Sequence, residues 1–151
     1  MAARTLMVLV LLVGCANVGD RQESHAGDRY ALTLAEVFPE QRSWQGTFTL
    51  GAPDAAHPGS YAITSLSAVV GNCSRVADCT YARPEIAGVF DPKQNQISAA
   101  DAGQQNAKFI AVDSSGKYIG NLSFNGKQWT AYNVREARDD RKGSFSTKRL
   151  P

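Results

Sequence analysis

Residues 118–133 read Tyr-Ile-Gly-Asn-Leu-Ser-Phe-Asn-Gly-Lys-Gln-Trp-Thr-Ala-Tyr-Asn, and this stretch decides the fold class. Apolar and polar residues alternate on both sides of Asn125-Gly126, a pair that tolerates the positive φ angles of a tight hairpin turn. The stretch therefore predicts two antiparallel strands joined by a two-residue turn. With that turn centred on the Asn-Gly pair, Phe124 is expected opposite Lys127.

The same alternation recurs on the amino-terminal side of this hairpin, in short runs separated by turn residues, as is typical of an antiparallel sheet. It changes phase near Ser65, which predicts a β-bulge, and the prolines of residues 51–59 predict a loop because proline cannot donate to a ladder. Residues 144–149 alternate weakly and predict an edge strand. The other predicted strands are residues 30–37, 44–50, 60–70, 85–90, 95–98 and 108–112. We therefore predict an all-β fold, an antiparallel β-sandwich or small β-barrel of seven to nine strands.

The amino-terminal residues predict a targeting signal rather than a part of this sheet. Arg4 precedes eight consecutive apolar residues, 6–13, a pattern typical of an export signal. A helix rises about 1.5 Å per residue and needs about twenty apolar residues to cross a bilayer. We therefore expect this run to be a signal peptide rather than a transmembrane helix.

The run ends in Leu-Val-Gly-Cys at residues 12–15, which resembles the lipobox of bacterial lipoproteins. In that family a signal peptidase cuts before the cysteine, and acyl chains such as palmitate are attached to its sulfur and to the new amino terminus. The resemblance implies that residues 1–14 are removed and that Cys15 is the lipidation site, where two or more chains make a durable membrane anchor. Ala16, in place of Asp, is the family's pattern for export to the outer membrane.

The mature chain is long enough for one domain and is nearly neutral. Loss of 14 residues leaves 137 of the 151. Residues 15–28 are polar after the cysteine and predict a flexible tether, and residues 29–151 suffice for one β-rich domain with a charged carboxy-terminal segment. Because Arg4 leaves with the signal peptide, 15 basic residues face 14 acidic ones. Near neutrality argues against nucleic-acid binding, which needs a strongly basic face.

Two further cysteines, Cys73 and Cys79, are separated by five residues. An even number of remaining cysteines in an exported chain predicts a disulfide. Closure of so short a loop contributes about 2 kcal/mol in chain-entropy models. A metal site is the competing interpretation, but two thiols with both histidines remote in sequence make a poor ligand set. We therefore predict a disulfide, no metal and no cofactor.

No convincing catalytic constellation is found in the sequence. His57 is the only candidate general base, and its position beside a proline in a loop favours a solvated side chain. Asp91, Asp101 and Asp113 are the candidates for a carboxylate pair, but each stands in a turn-like context, where aspartate accepts hydrogen bonds from the local backbone. We therefore expect a protein that is not an enzyme.

Three stretches are candidates for a binding surface. Tyr132 lies on the opposite pleat from Trp129, so we expect Tyr132 to be exposed and Trp129 to lie in the core. The other two are the loop before residue 118 and the charged tail from Val134 to Pro151. The basic residues of this tail are suited to contact anionic lipid headgroups, lipopolysaccharide or glycan. The candidate surface residues are Tyr132, Ser114, Ser115, Gly116, Lys117, Arg135, Arg138 and Arg141.

A second resemblance covers about residues 44–124. Gly-Thr-Phe-Thr at residues 46–49, Gly-Ser-Tyr-Ala-Ile-Thr-Ser at 59–65, Asp-Ser-Ser-Gly at 113–116 and Leu-Ser-Phe at 122–124 are similar to a β-rich module of exported bacterial proteins, including some with PEP-CTERM sorting tails. The resemblance implies an exported β-rich domain and brings no activity with it.

These features lead us to expect a lipid-anchored protein of the bacterial cell envelope, at the outer membrane. Its partners would be the membrane, through the acyl chains on Cys15, and an envelope protein or glycan, in a noncatalytic binding or structural role. The alternative is a proteinaceous inhibitor of a hydrolase such as lysozyme. Residues 114–117 form the one predicted loop suited to enter an active-site cleft.

Overall fold

One antiparallel sheet contains every strand of the part of the chain that the computed structural model describes, residues 23–70, 81, 83–112, 115–134 and 141–151. The ten strands are β1 (Arg29–Phe38), β2 (Ser43–Pro53), β3 (Tyr61–Ala68), β4 (Arg83–Ile86), β5 (Gly88–Asp91), β6 (Gln96–Ala99), β7 (Ala107–Val112), β8 (Tyr118–Asn125), β9 (Gln128–Asn133) and β10 (Arg141–Arg149). The all-β prediction is confirmed, and the predicted count of seven to nine strands is too low. None of the described segments is a helix of the length and hydropathy that crossing a membrane requires.

The count differs partly because one predicted strand is two. Residues 85–90 form an almost continuous extended run, but the chain changes partners at Ala87. Before this residue β4 pairs with β7, and after it β5 pairs with β3 and β6. Alternation reports which side chains face the core and does not report which strand is the neighbour.

This change of partner nearly closes the sheet. The strand order is β4-β7-β8-β9-β10-β1-β2-β3-β5-β6, so β4 and β5 are consecutive in the chain yet lie towards opposite ends of the order. The Tyr81 amide donates to the Ala68 carbonyl at the end of β3, 3.1 Å away, just before β4 begins. An isolated bridge between Ile97 and Gly126 joins β6 to the β8–β9 turn. The result is a barrel-like sheet whose inner face is one core.

The inner face is filled by large apolar side chains at alternate positions. In β1 the residues Tyr30, Leu32 and Leu34 are buried, and the Tyr30 ring stacks on Phe48 at 5.3 Å between centroids. Phe90 meets both rings edge-on, at 5.0 and 4.9 Å. Burial of each such side chain contributes about 1.5 to 3 kcal/mol, so this alternation drives the folding of the sheet. The most deeply buried residues are Trp129, Tyr81, Phe48, Phe90, Phe109, Phe124, Leu32, Leu34, Leu50, Leu66, Ile97 and Leu122.

The β8–β9 hairpin forms as predicted, but its register differs. Asn125 pairs with Gln128, and Phe124 pairs with Trp129 rather than with Lys127. The central turn residues are therefore Gly126, with φ of +62°, and Lys127. A glycine with positive φ at the first central position suits a type II′ turn. The expected register would have placed the Lys127 ammonium on the core face, whereas the observed register buries two aromatic side chains opposite each other.

The bulge predicted near Ser65 is confirmed. Thr49 pairs with Ser65 and Leu50 with Ile63, so Thr64 is the extra residue. The loop predicted for residues 51–59 begins later than expected, because β2 continues to Pro53, opposite Tyr61. A proline at the last position of a strand removes a donor that the ladder no longer needs.

The strand predicted at residues 144–149 is longer than expected and is not at an edge. β10 begins at Arg141 and lies between β9 and β1. Its pairing with β1 joins Tyr30 to Arg149 and Glu36 to Gly143, residues from the two termini of the domain. Its outward-facing positions are charged or hydroxylated, which is why its alternation looks weak although Phe145 is buried.

The Asn95 side chain links the β5–β6 hairpin to β10 through two hydrogen bonds. Its amide donates to the Phe145 carbonyl at 3.3 Å, and its Oδ1 accepts from the Thr147 hydroxyl at 2.7 Å. Its φ is +53°, a conformation that asparagine tolerates better than most residues.

Asn95→Ala should therefore lower the free energy of unfolding by about 2 kcal/mol, from two lost hydrogen bonds and an unfavourable φ. Urea unfolding followed by tryptophan fluorescence measures the change. Asn95→Gly loses the same hydrogen bonds but accepts the φ, so it should be about 1 kcal/mol more stable than the alanine variant. Equal stability of the two variants would show that the backbone conformation contributes nothing here.

Candidate functional site

The barrel-like sheet has two ends that carry different side chains. Val69 donates to the Gln45 carbonyl at the start of β2, Val134 donates to the Ile119 carbonyl at the start of β8, and Phe38 pairs with Lys142. Because neighbouring strands are antiparallel throughout the sheet, the ends of β1, β3 and β9 and the starts of β2, β8 and β10 lie at the same end. We call it the distal end, which consists of residues 36–42, 69–70, 115–118, 134 and 141–142. The opposite end, the tether end, consists of residues 23–29, 54–60, 91–95, 100–106, 126–127 and 148–151.

The distal end carries every large hydrophobic side chain that the described part of the chain leaves exposed. These are Val37, Phe38, Val69, Tyr118 and Val134, with exposures of 63, 48, 44, 40 and 40%. Single exposed apolar residues are common on soluble proteins and need no explanation, but their confinement to one end is informative. The distal end is therefore the leading candidate for a binding surface.

Charged groups surround the apolar side chains of the β1–β2 connection. The Lys142 ammonium lies over the Phe38 ring, 5.4 Å from its centroid, in a cation–π contact. Arg42 forms an exposed ion pair with Glu40 at the tip. Protein interfaces commonly combine an apolar centre that contains aromatic residues with a polar rim.

A buried ion pair lies directly beneath this connection. Glu36 follows Tyr30, Leu32 and Leu34 on the inward face of β1, and its side chain is fully buried. Its Oε1 lies 2.8 Å from Nη1 of Arg141 and 3.3 Å from the amide of Glu40, and its Oε2 accepts from the Trp44 indole. The Arg141 guanidinium also lies over the Trp44 ring, 5.5 Å from its centroid. We call Glu36, Trp44 and Arg141 the buried triad.

The buried triad holds three strands together at the distal end. Glu36 is near the end of β1, Trp44 near the start of β2, and Arg141 is the first residue of β10. Both carboxylate oxygens accept from donors of the protein, so the carboxylate is placed to fix these strand ends. The triad therefore acts as a support for the exposed connection above it.

The described candidate surface residues from the sequence converge on this end. Ser115, Gly116 and Lys117 are exposed beside Tyr118, with Gly116 at a φ of +83°. Tyr132 was expected to be exposed and is half-buried; it pairs with Asn121, whose amide donates to the Tyr118 hydroxyl at 2.6 Å. The ion pair with Glu36 removes Arg141 from the surface, since only 12% of its side chain is exposed. The predictions for Ser114, Arg135, Arg138, Cys15, Cys73 and Cys79 lie outside the described residues.

His57, the one candidate base, lies at the tether end in a local turn. Oδ1 of Asp54 accepts from the amides of Ala56 and His57, both at 3.0 Å, and lies 2.9 Å from the His57 ring. This geometry is that of an Asx turn closing its own loop. Asp91 and Asp101 also accept from the backbone of their turns, as predicted. Within the described ranges, no three His, Cys, Asp or Glu side chains converge as a metal site.

The last residues before β1 are hydrogen-bonded to the sheet at the tether end. The Tyr61 hydroxyl donates to the Ser24 carbonyl at 2.5 Å, and the Ser24 and Tyr30 hydroxyls are 2.7 Å apart. The Arg149 guanidinium donates to the Glu23 carbonyl at 3.1 Å and to the Asp28 carboxylate at 2.7 Å. The chain therefore enters the domain at a fixed place, opposite the distal end.

Two carboxylates of the tether end make stability pH-dependent. Burial raises the pKa of Asp28, but the hydrogen bond from the His25 amide and the contact with Arg149 together lower it by more. The net pKa of Asp28 is therefore below its usual value of 3.8. The hydrogen bond from His57 likewise lowers the pKa of Asp54. Because both folded-state pKa values are depressed, this stabilisation is present above about pH 4 and is lost as the pH falls through the folded-state values.

Asp28→Asn should therefore lower the melting temperature at neutral pH, and its difference from the parent protein should shrink as the pH falls below about 4 and through the lowered pKa of Asp28 in the folded parent. Thermal unfolding followed by circular dichroism across this range measures both proteins. A difference that stays constant down to pH 2 would contradict the assignment.

Glu36 is the residue that the sequence analysis did not single out. Its position in the sequence could have revealed its burial, because it occupies the inward phase of β1 after three apolar residues.

No protein-family model matches this chain, and searches of curated proteins and of solved structures also find no match.

Proposed function

We propose that this chain is a lipid-anchored, noncatalytic binding module of the bacterial envelope, held at the outer membrane by acyl chains on Cys15 and presenting its distal end to an envelope protein or glycan. The observation that carries the proposal is the confinement of the five exposed hydrophobic side chains to the end opposite the chain's entry. Tyrosine and other aromatic side chains at such positions often dominate binding energy.

The position of the entry supports this orientation. Glu23 lies eight residues after Cys15, and an extended chain of eight residues reaches at most about 28 Å. An anchor on Cys15 would therefore keep the tether end near the bilayer. The distal end would then be the part of the domain most accessible to a partner away from that membrane.

Lipidation is tested by metabolic labelling with an alkyne analogue of palmitate in a bacterial host. We expect label on the protein, recovery in the outer-membrane fraction, and loss of both in Cys15→Ser. Mass spectrometry of the non-reduced mature protein tests the Cys73–Cys79 disulfide in the same sample. An unmodified thiol at residue 15 of the native protein would contradict the proposal.

Binding at the distal end is tested with a photoreactive amino acid placed at Tyr118. The matched control is the same amino acid at Ser146, an exposed position on the outer face of β10. We expect one envelope component to crosslink from residue 118 and not from residue 146. Identical crosslinking patterns from both positions would show that the distal end is not the binding surface.

Inhibition of a hydrolase such as lysozyme is the second candidate. The exposed Ser115, Gly116 and Lys117 at the distal end favour it, because an inhibitor needs an accessible loop to enter the active-site cleft. A lysozyme assay with the mature protein at equimolar concentration tests this candidate. Inhibition that is weakened by Lys117→Glu and retained by Lys93→Glu, a change in the exposed β5–β6 turn, would support it.

A further inference from the structure

We propose that a groove at the tether end binds the phosphates of anionic phospholipid headgroups in the membrane that holds the anchor. The inference rests on the proposed lipid anchor and assigns a second, direct membrane contact to the folded domain. The groove lies between residues 27–29 and residues 148–151 and has a volume of about 550 Å³.

Two cations of the groove are available to an anion. Arg149 donates to Asp28 at 2.7 Å, so the one carboxylate side chain of the groove is already paired. Arg29 and Lys148 are both exposed, and neither side chain forms an ion pair or hydrogen bond with the residues that the structure describes. The groove therefore offers two cations that lack a partner within the described protein.

Of the other carboxylates described at this end, Glu23 is exposed and forms no ion pair with the described residues, and three are engaged in their own loops. Asp54 accepts from the loop of His57, and Asp91 and Asp101 accept from amides of their turns. Because their charges persist, the tether end as a whole is not strongly basic, and a surface charge is screened over about 8 to 10 Å. Attraction is therefore expected only where Arg29 and Lys148 approach an anion directly.

The proposed anchor brings one such anion within reach. With Cys15 in the bilayer, the tether keeps this end within about 28 Å of the headgroups. Each lysine or arginine at an anionic lipid surface strengthens binding by about fivefold. Contact through both cations would orient the domain with its distal end away from the membrane.

The test uses the full acylated protein reconstituted in vesicles of phosphatidylcholine, alone or mixed with phosphatidylglycerol. Acetylation of lysines by a membrane-impermeant reagent is followed by mass spectrometry. We expect Lys148 to react about fivefold more slowly in the phosphatidylglycerol vesicles, and Lys142, at the distal end, to react equally in both. Arg29→Gln should remove part of the protection of Lys148.

Co-flotation with the vesicles separates the two proposals. Protein that floats but shows equal Lys148 reactivity in both vesicles would overturn the groove assignment and leave the anchor intact. Protein that does not float would overturn both. Protection of Lys148 by inorganic phosphate in phosphatidylcholine vesicles, without any effect of phosphatidylglycerol, would identify a free-phosphate site and overturn the headgroup assignment.

Discussion

Glu36→Ala should lower the free energy of unfolding by about 3 to 5 kcal/mol, measured by urea unfolding with tryptophan fluorescence. The substitution removes the acceptor for Trp44 and leaves the Arg141 guanidinium, 12% exposed, without its carboxylate. A largely buried charge that loses a counter-ion is less well compensated for its desolvation, and the Trp44 indole loses its acceptor, which is why this substitution is expected to be costly.

A matched control and a double variant distinguish this cause from general sensitivity of the sheet. Glu85→Ala removes a surface ion pair with Lys108, whose side chains are 49% and 32% exposed, and should cost less than about 1 kcal/mol. Glu36→Leu combined with Arg141→Met replaces both charges with apolar groups of similar size and should recover much of the lost stability. A double variant as unstable as Glu36→Ala would mean that the pair contributes through more than its charge balance.

The Glu36 and Arg141 side chains also show what the sequence could reveal of the candidate site. Alternation in β1 placed Glu36 on the inward face, but its partner lies 105 residues away, and no local pattern connects the two. Arg141 was interpreted as a surface cation because arginine in a charged segment is usually solvated. By contrast, the sequence could predict that Ser115, Gly116 and Lys117 lie beside Tyr118, because these residues are neighbours in the chain.

The same distinction between local and long-range information applies to the fold. The β8–β9 hairpin and the bulge at Thr64 were predictable, since alternation and turn residues encode them within a few positions. The division of residues 83–91 into β4 and β5 was not, because it depends on which distant strands lie on either side. Likewise, the alternation at residues 144–149 predicted a strand, but its charged and hydroxylated outward face did not reveal that β10 lies in the interior of the sheet, between β9 and β1.

Gly143→Ala should lower the free energy of unfolding by about 3 kcal/mol, because β10 approaches β1 too closely at this position to accept a side chain. A Cβ at residue 143 would lie 1.7 Å from the Ala35 carbonyl oxygen and 3.1 Å from the Glu36 Cα. Both atoms belong to the backbone, so no side chain can rotate away, and the two strands would have to separate. The clash lies next to the irregularity in the β1–β10 ladder between Glu36 and Phe38.

Ser146→Ala provides the matched control, since Ser146 is exposed on the outer face of the same strand and should change stability by less than about 0.5 kcal/mol. Because residue 143 pairs with Glu36, separation of the strands should also loosen the buried triad. Gly143→Ala should therefore increase amide hydrogen exchange at residues 36–38 and 141–143 more than at β8. Wild-type stability of Gly143→Ala would show that the two strands do not approach as closely as this geometry requires. It would also contradict the role assigned to the buried triad as the support of the distal end.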